Sequence, residues 1–139
     1  MDIIPREILL DAIENPNPEG LLEWLSAQRQ KQMIAQNKQH LLVRVQKVLD
    51  LSGVEGACVG YYHSGGRGAP PTYTVGIMIR ALIIGTLRGL SLRELEGYIN
   101  ESGIAKWFVG LQDHQVSPDH STLERFSCLV NALKNLANF

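Results

Sequence analysis

Between Val75 and Leu87 the sequence runs VGIMIRALIIGTL, with a single charge at Arg80 and apolar side chains on nearly every face of the helix it would form. A helix that is apolar all round must be covered by other elements. The run is too short for a bilayer crossing, which needs roughly 20 apolar residues. A chain built on it is therefore expected to fold as a helical domain with this segment at its centre. Thr74 is placed to cap the helix and Gly89 to end it in the left-handed conformation, bounding it as Val75 to Arg88. Arg80 and Arg88 are expected to snorkel or pair at its edges.

Two capping boxes mark further helix starts. Ser91 is followed three residues later by Glu94, and Ser121 by Glu124. In such a box the hydroxyl takes one orphan N–H of the first turn, and the carboxylate reaches back to another. The serine cap contributes about 1 kcal/mol. The helix from Ser91 is expected to bury Leu92, Leu95 and Ile99 and to close at Gly103. A short helix then carries Ile104, Trp107, Phe108 and Leu111 at helical spacing. After a turn from Gln112 to Pro118, the helix from Ser121 is expected to bury Leu123, Phe126, Val130, Leu133 and Ala137. Its solvent face would hold Glu124, Arg125, Asn131 and Asn135. No stretch alternates with period two for long enough to make a strand. The fold class is all-α, a compact multi-helix domain with helix-turn-helix-like elements.

Upstream, Pro5 to Ile13 reads as a short amphipathic helix with Ile8, Leu9 and Ile13 on one side and Pro5 in its first turn. Asn15-Pro16-Asn17-Pro18 breaks it, because a residue before proline is pushed out of the helical region. Glu19 to Leu49 reads as helix in one piece or two. Leu21, Leu22 and Leu25 form an apolar patch at one end, and Leu41, Leu42, Val45, Val48 and Leu49 form another. Between them the chain is Gln-rich, and Arg29, Lys31, Lys38, Arg44 and Lys47 face no acid from Trp24 to Leu49. That segment is either a basic helix lying along DNA phosphates or a partner, or a solvated connecting helix. Tyr61 to Pro71 is the strongest loop signal in the chain. It is not a phosphate-binding Walker loop, because no Gly-Lys-Ser/Thr follows it and no strand precedes it.

The 139 residues suit one domain with a real core. Thirteen basic residues against fourteen acidic ones give a net charge of −1, which argues against tight DNA binding by overall charge alone. Cys58 and Cys128 lie far apart without metal-ligand spacing and read as two reduced cysteines of a cytosolic protein. The acidic N-terminus has no secretory signal and the chain no membrane span, so the expected location is the bacterial cytoplasm, at the nucleoid.

The segments GRGAPPTYTVGIMIRALIIGTLRGLSLRELE, WFVGL and SPDHSTLERF occur in that order. Together they resemble the N-terminal domain of bacterial insertion-sequence transposases of the DDE class, over about Leu41 to Val130. The pairing of GLSLRELE with PDHSTLERF at this distance carries the resemblance. It implies a transposase N-terminal-like helical domain over residues 41–139, preceded by an N-terminal helical extension over 1–40. In that family the segment precedes a ribonuclease-H-like catalytic domain and helps recognise the element's ends. The implied partners are terminal inverted-repeat DNA, with a homo-oligomer or a separately encoded catalytic portion, and no membrane. The ending SCLVNALKNLANF departs from the family's basic continuation, which points to a truncated frame. The alternatives to DNA-end binding are thus a remnant and a helical interaction or dimerisation module.

Strand transfer by a DDE enzyme needs three carboxylates converging on two divalent ions. Glu94, Glu96, Glu101, Asp113, Asp119 and Glu124 match none of the family's catalytic positions, so no catalytic residue and no metal ligand is expected, and any Mg²⁺ would belong to a catalytic domain. Asp119-His120-Ser121 has the letters of a hydrolase triad, but adjacent residues do not converge on one reacting atom. His63, His114 and His120 with the nearby aspartates lack an i, i+4 pair to orient a metal. DNA contact is the remaining chemistry. In a helix-turn-helix the second helix enters the major groove near its N-terminus. That places Ser121, Thr122, Glu124 and Arg125 near bases, or Lys106 if the Ile104 helix reads instead. Arg67, Arg93 and the Arg29 to Lys47 set are the candidates for phosphates.

Overall fold

Seven α-helices and no strand are found among the described residues, which in the computed structural model are 3–53, 56 and 73–137, with side chains as far as residue 131. The all-α expectation is met. The Gly-rich loop with His63 and Arg67 lies outside those residues, as do Cys58 and the side chains of Leu133, Asn135 and Ala137.

The first three helices are α1 (Arg6–Glu14), α2 (Glu19–Gln36) and α3 (Leu41–Val48). Pro5 stands at the N-cap of α1 rather than inside its first turn. Between α1 and α2 the Asn15 side chain accepts from the Asn17 N–H at 3.0 Å, closing the turn that the two prolines impose. Glu19 to Leu49 resolves into two helices. Asn37 caps the C-terminus of α2, its amide donating to the Met33 carbonyl at 2.8 Å. His40 then opens α3, its Nδ1 accepting from the Leu42 N–H at 3.1 Å.

Four more helices follow: α4 (Val75–Arg88), α5 (Leu92–Glu101), α6 (Gly103–Val109) and α7 (His120–Ala137). Thr74 caps α4 by accepting from Ile77 N–H at 3.2 Å, and Gly89 ends it at φ 64°, a left-handed conformation that glycine adopts without a Cβ penalty. The box at Ser91 is complete: Glu94 N–H donates to the Ser91 hydroxyl and Ser91 N–H to the Glu94 carboxylate. Gly103 does not close α5. Ser102 ends α5 and caps α6 in the same residue, so Gly103 is the first residue of the next helix.

The second expected box is absent. Asp119, not Ser121, caps α7, its carboxylate accepting from Thr122 N–H at 2.7 Å while its carbonyl accepts from Leu123 N–H. The earlier start is favoured by a partner outside the helix. Glu96 of α5 accepts from His120 N–H at 2.8 Å, satisfying an amide that a cap at Ser121 would leave to water.

The seven-residue α6 is the hub, packing against α2, α3, α4 and α5, with Ala105, Phe108 and Val109 buried. Around it α4 contributes Met78, Ala81 and Ile84, α5 contributes Leu95 and Ile99, and α7 contributes Leu123 and Phe126. Two glycines mark close approaches. A Cβ on Gly85 would lie 3.2 Å from Leu95 Cδ2, and one on Gly103 would lie 3.1 Å from Met33 Sδ. They set the spacing of α4 to α5 and of α2 to α6. Chain direction turns by 105° between α4 and α5.

The described residues cover the central helix on one side rather than all round. Leu87 is 44% exposed, and Leu82 and Ile83 are half-buried along an apolar groove shared with Val130 of α7. Its arginines behave as expected. Arg80 bonds to Gln46 of α3 and lies over the Phe108 ring at 5.6 Å, and Arg88 lies over Tyr98 at 5.7 Å. Among the described residues no single helix is long and apolar enough to cross a membrane.

Candidate nucleic-acid interface

The basic residues of α2 and α3 fall into two environments. Arg29, exposed along most of its side chain, brings its Nε to 3.5 Å from Asp113 Oδ2 in the turn after α6. Two other α2 residues reach the same turn. Ser26 Oγ accepts from Asp113 N–H at 2.9 Å, and Gln30 Nε2 donates to the Leu111 carbonyl at 2.9 Å. The Gln-rich stretch is thus not a free connecting helix at its N-terminal half, because its polar side chains fasten it to the domain. Lys31 is exposed on the same helix. Lys38, in the turn before α3, and Arg44 and Lys47 on its outer face are exposed beside Leu41 and Val48.

His40 sits at the head of that face. Burial, and then the Arg88 charge, hold its pKa below the ordinary histidine value. A neutral ring is what the cap requires, since a protonated Nδ1 cannot accept from Leu42.

The last helix, α7, begins with Ser121 and Arg125 exposed and Thr122 half-buried. Arg125 reaches back along the helix, one guanidinium nitrogen 3.4 Å from Thr122 Oγ1. The start of α7 is held from two directions. Bonds from the Thr122 N–H, more than any charge, keep the Asp119 carboxyl below its usual range, and the His120 N–H does the same for Glu96. The His120 ring adds a contact of 3.1 Å from Nδ1 to the same Glu96 oxygen. Arg93, in the first turn of α5, is exposed.

Lys106 has an internal partner. Its ammonium donates to the Asp113 carbonyl at 2.8 Å, tying α6 to the turn that follows it. Lys106 and Arg29 therefore converge on Asp113 from opposite sides. Neither pairing was visible in the sequence, where Asp113 stands 84 residues after Arg29 and among loop-forming residues.

The residues with catalytic letters are turned to structural tasks. Asp119 caps α7, the His120 ring meets Glu96, and Ser121 faces solvent, so the three do not converge. Among the described residues no three His, Cys, Asp or Glu side chains come together as a metal site. Among the described residues the exposed candidate bases are Arg29 and Lys31 on α2, the Lys38–Lys47 strip, and Arg93 and Arg125 at the heads of α5 and α7. Residues 29–128 match a family described as a transposase domain (DUF772), which is most of the chain. No catalytic domain is identified, and no curated protein and no solved structure matches.

Proposed function

This chain belongs to the DUF772 family of transposase domains, the N-terminal domain of insertion-sequence transposases, and we propose that it binds the DNA at the ends of its element and orders those ends for transposition. The observation that carries this reading is the pinned start of α7. Asp119 and Glu96 fix the first turn, and Arg125 in the second turn is exposed on the same side as Ser121, its guanidinium reaching back to Thr122. A long helix held rigidly at its N-terminus, with a guanidinium in its first two turns, suits insertion into a major groove. Lys38, Arg44 and Lys47, with Arg93, supply phosphate contacts that position the duplex without reading it. Lys106 serves the fold instead, through the Asp113 carbonyl, while Arg29 pairs with the Asp113 carboxylate and stays exposed.

The geometry is not a strict helix-turn-helix. Ten residues, Gly110 to Asp119, separate α6 from α7, and a single Ser102 joins α5 to α6. The reading helix α7 packs on α5 and α4, so α5 takes the supporting place of a first helix.

A salt titration of binding to an inverted-repeat duplex and to a scrambled one tests the assignment. Arg125→Ala should weaken binding to the inverted repeat by roughly 1–3 kcal/mol and leave the scrambled duplex nearly unchanged. Arg44→Gln and Lys47→Gln should weaken both and lower the log–log salt slope by about 0.9 for each phosphate no longer neutralised. Absence of binding to either duplex at about 50 mM salt, where phosphate contacts are strong, would remove the DNA reading.

A further inference from the structure

The α1–α2 hairpin carries an apolar surface that nothing among the described residues covers. No residue of α1 is buried. Leu9, Leu10, Leu22 and Leu25 are 43–47% exposed, and Ile13 is 79% exposed. An amphipathic helix keeps such a stripe when something else packs on it. The rim of the stripe is acidic: Glu7, Asp11, Glu14, Glu19 and Glu23 are all exposed, against Arg6 alone. No ion pair among the described residues engages those acids.

The charge of the rim selects the occupant. DNA phosphates and anionic lipid headgroups are repelled by it. A second copy of the same hairpin would set five acids against five. What fits is a basic surface with apolar side chains of its own, and the chain has one. The outer face of α3 and the turn before it present Lys38, Arg44 and Lys47 around Leu41, 38% exposed, and Val48, 85% exposed. Residues 26–49 hold five bases and no acid.

We infer that this chain forms a dimer in which the acidic, leucine-bearing α1–α2 hairpin of each copy docks on the basic α3 strip of the other. Leucines and Ile13 meet Leu41 and Val48, and the glutamates ring them opposite Arg44 and Lys47, which gives the pairing its direction. The α3 strip is also a proposed phosphate surface, so the partner's hairpin and DNA compete for it. The inference rests on exposure and charge, not on the DNA reading, and its test contains no DNA.

Light scattering after gel filtration, repeated across salt concentrations, should give twice the 15.4 kDa protomer mass, with dissociation promoted by salt. Glu14→Lys with Glu19→Lys and Glu23→Lys reverses the hairpin, and Arg44→Glu with Lys47→Glu reverses the strip. Each of the two variants alone should run at protomer mass. An equimolar mixture should regain the doubled mass, because both of its contacts then join opposite charges. That recovery cannot come from misfolded chains, and helical circular dichroism of each variant checks the rest. A wild-type protomer at ~100 µM, a concentration at which even a weak interface assembles, would overturn the inference. So would a salt-independent dimer, variants that remain dimeric, or a mixture that stays monomeric.

Discussion

The Ser26 hydroxyl of α2 accepts the Asp113 N–H at 2.9 Å, across 87 residues of sequence, and Ser26 is itself 5% exposed. Around that bond Gln30 donates to Leu111, Lys106 donates to the Asp113 carbonyl, and Arg29 pairs with the Asp113 carboxylate. Polar side chains, not an apolar stripe, hold this end of α2 to the domain. The carboxylate oxygen Oδ2 of Asp113 is buried without a hydrogen bond, so Arg29 at 3.5 Å balances its charge without satisfying its lone pairs.

Ser26→Ala should therefore destabilise the domain although it replaces serine by a better helix former. The Asp113 N–H would lose its acceptor in a part-buried setting, a cost of about 1–3 kcal/mol, against a helix-propensity gain of about 0.5 kcal/mol. Urea unfolding should show a lower midpoint at unchanged slope. Arg29→Ala, which removes an arm that is 80% exposed, should move the midpoint far less. Equal midpoints for wild type and Ser26→Ala would mean that α2 is held elsewhere.

The start of α7 makes a second prediction, because two residues compete for the cap. Asp119 accepts from Thr122 N–H, and Ser121 is already inside the helix. Asp119→Ala should lower the melting temperature by about 3 °C, the usual effect of losing a cap in a domain of this size. Ser121→Ala should leave it unchanged. Thermal melts of the two variants distinguish the caps directly, and the reverse ranking would restore the box at Ser121.

What the sequence could show was what depends on near neighbours. The Ser91–Glu94 box, the Thr74 cap and the Gly89 stop are local in chain and were legible, as was the all-α class from the helical spacing of Leu95 with Ile99 and of Ile104 with Phe108. The box at Ser121 failed because the earlier start drew on a bond from His120 N–H to Glu96, 24 residues upstream of it in another helix. The exposed side of α4 failed for a related reason. Apolar composition shows that a face can be buried, not whether another element reaches it, and Leu87 is left in the open. At the candidate interface, Lys106 and Arg125 look alike as isolated basic residues. Only the position of Asp113 separates the one that braces a turn from the one that faces solvent.

The cap of α3 ties stability to pH through His40. Its folded pKa is lowered, by burial first and by Arg88 second, so the folded state binds its proton less readily than the unfolded chain. The contribution of the neutral ring is complete above the ordinary histidine value of about 6.5 and is lost as pH falls through the lower folded value. Below that range the protonated Nδ1 has no lone pair for Leu42 N–H, and the cap opens. Asparagine caps a helix as well and does not titrate, so His40→Asn should keep stability at pH 7.5. Between pH 7.5 and 5 the wild type should lose more stability than the variant, and urea midpoints across that range measure the difference. Parallel profiles for wild type and variant would show that the His40 proton is not linked to folding.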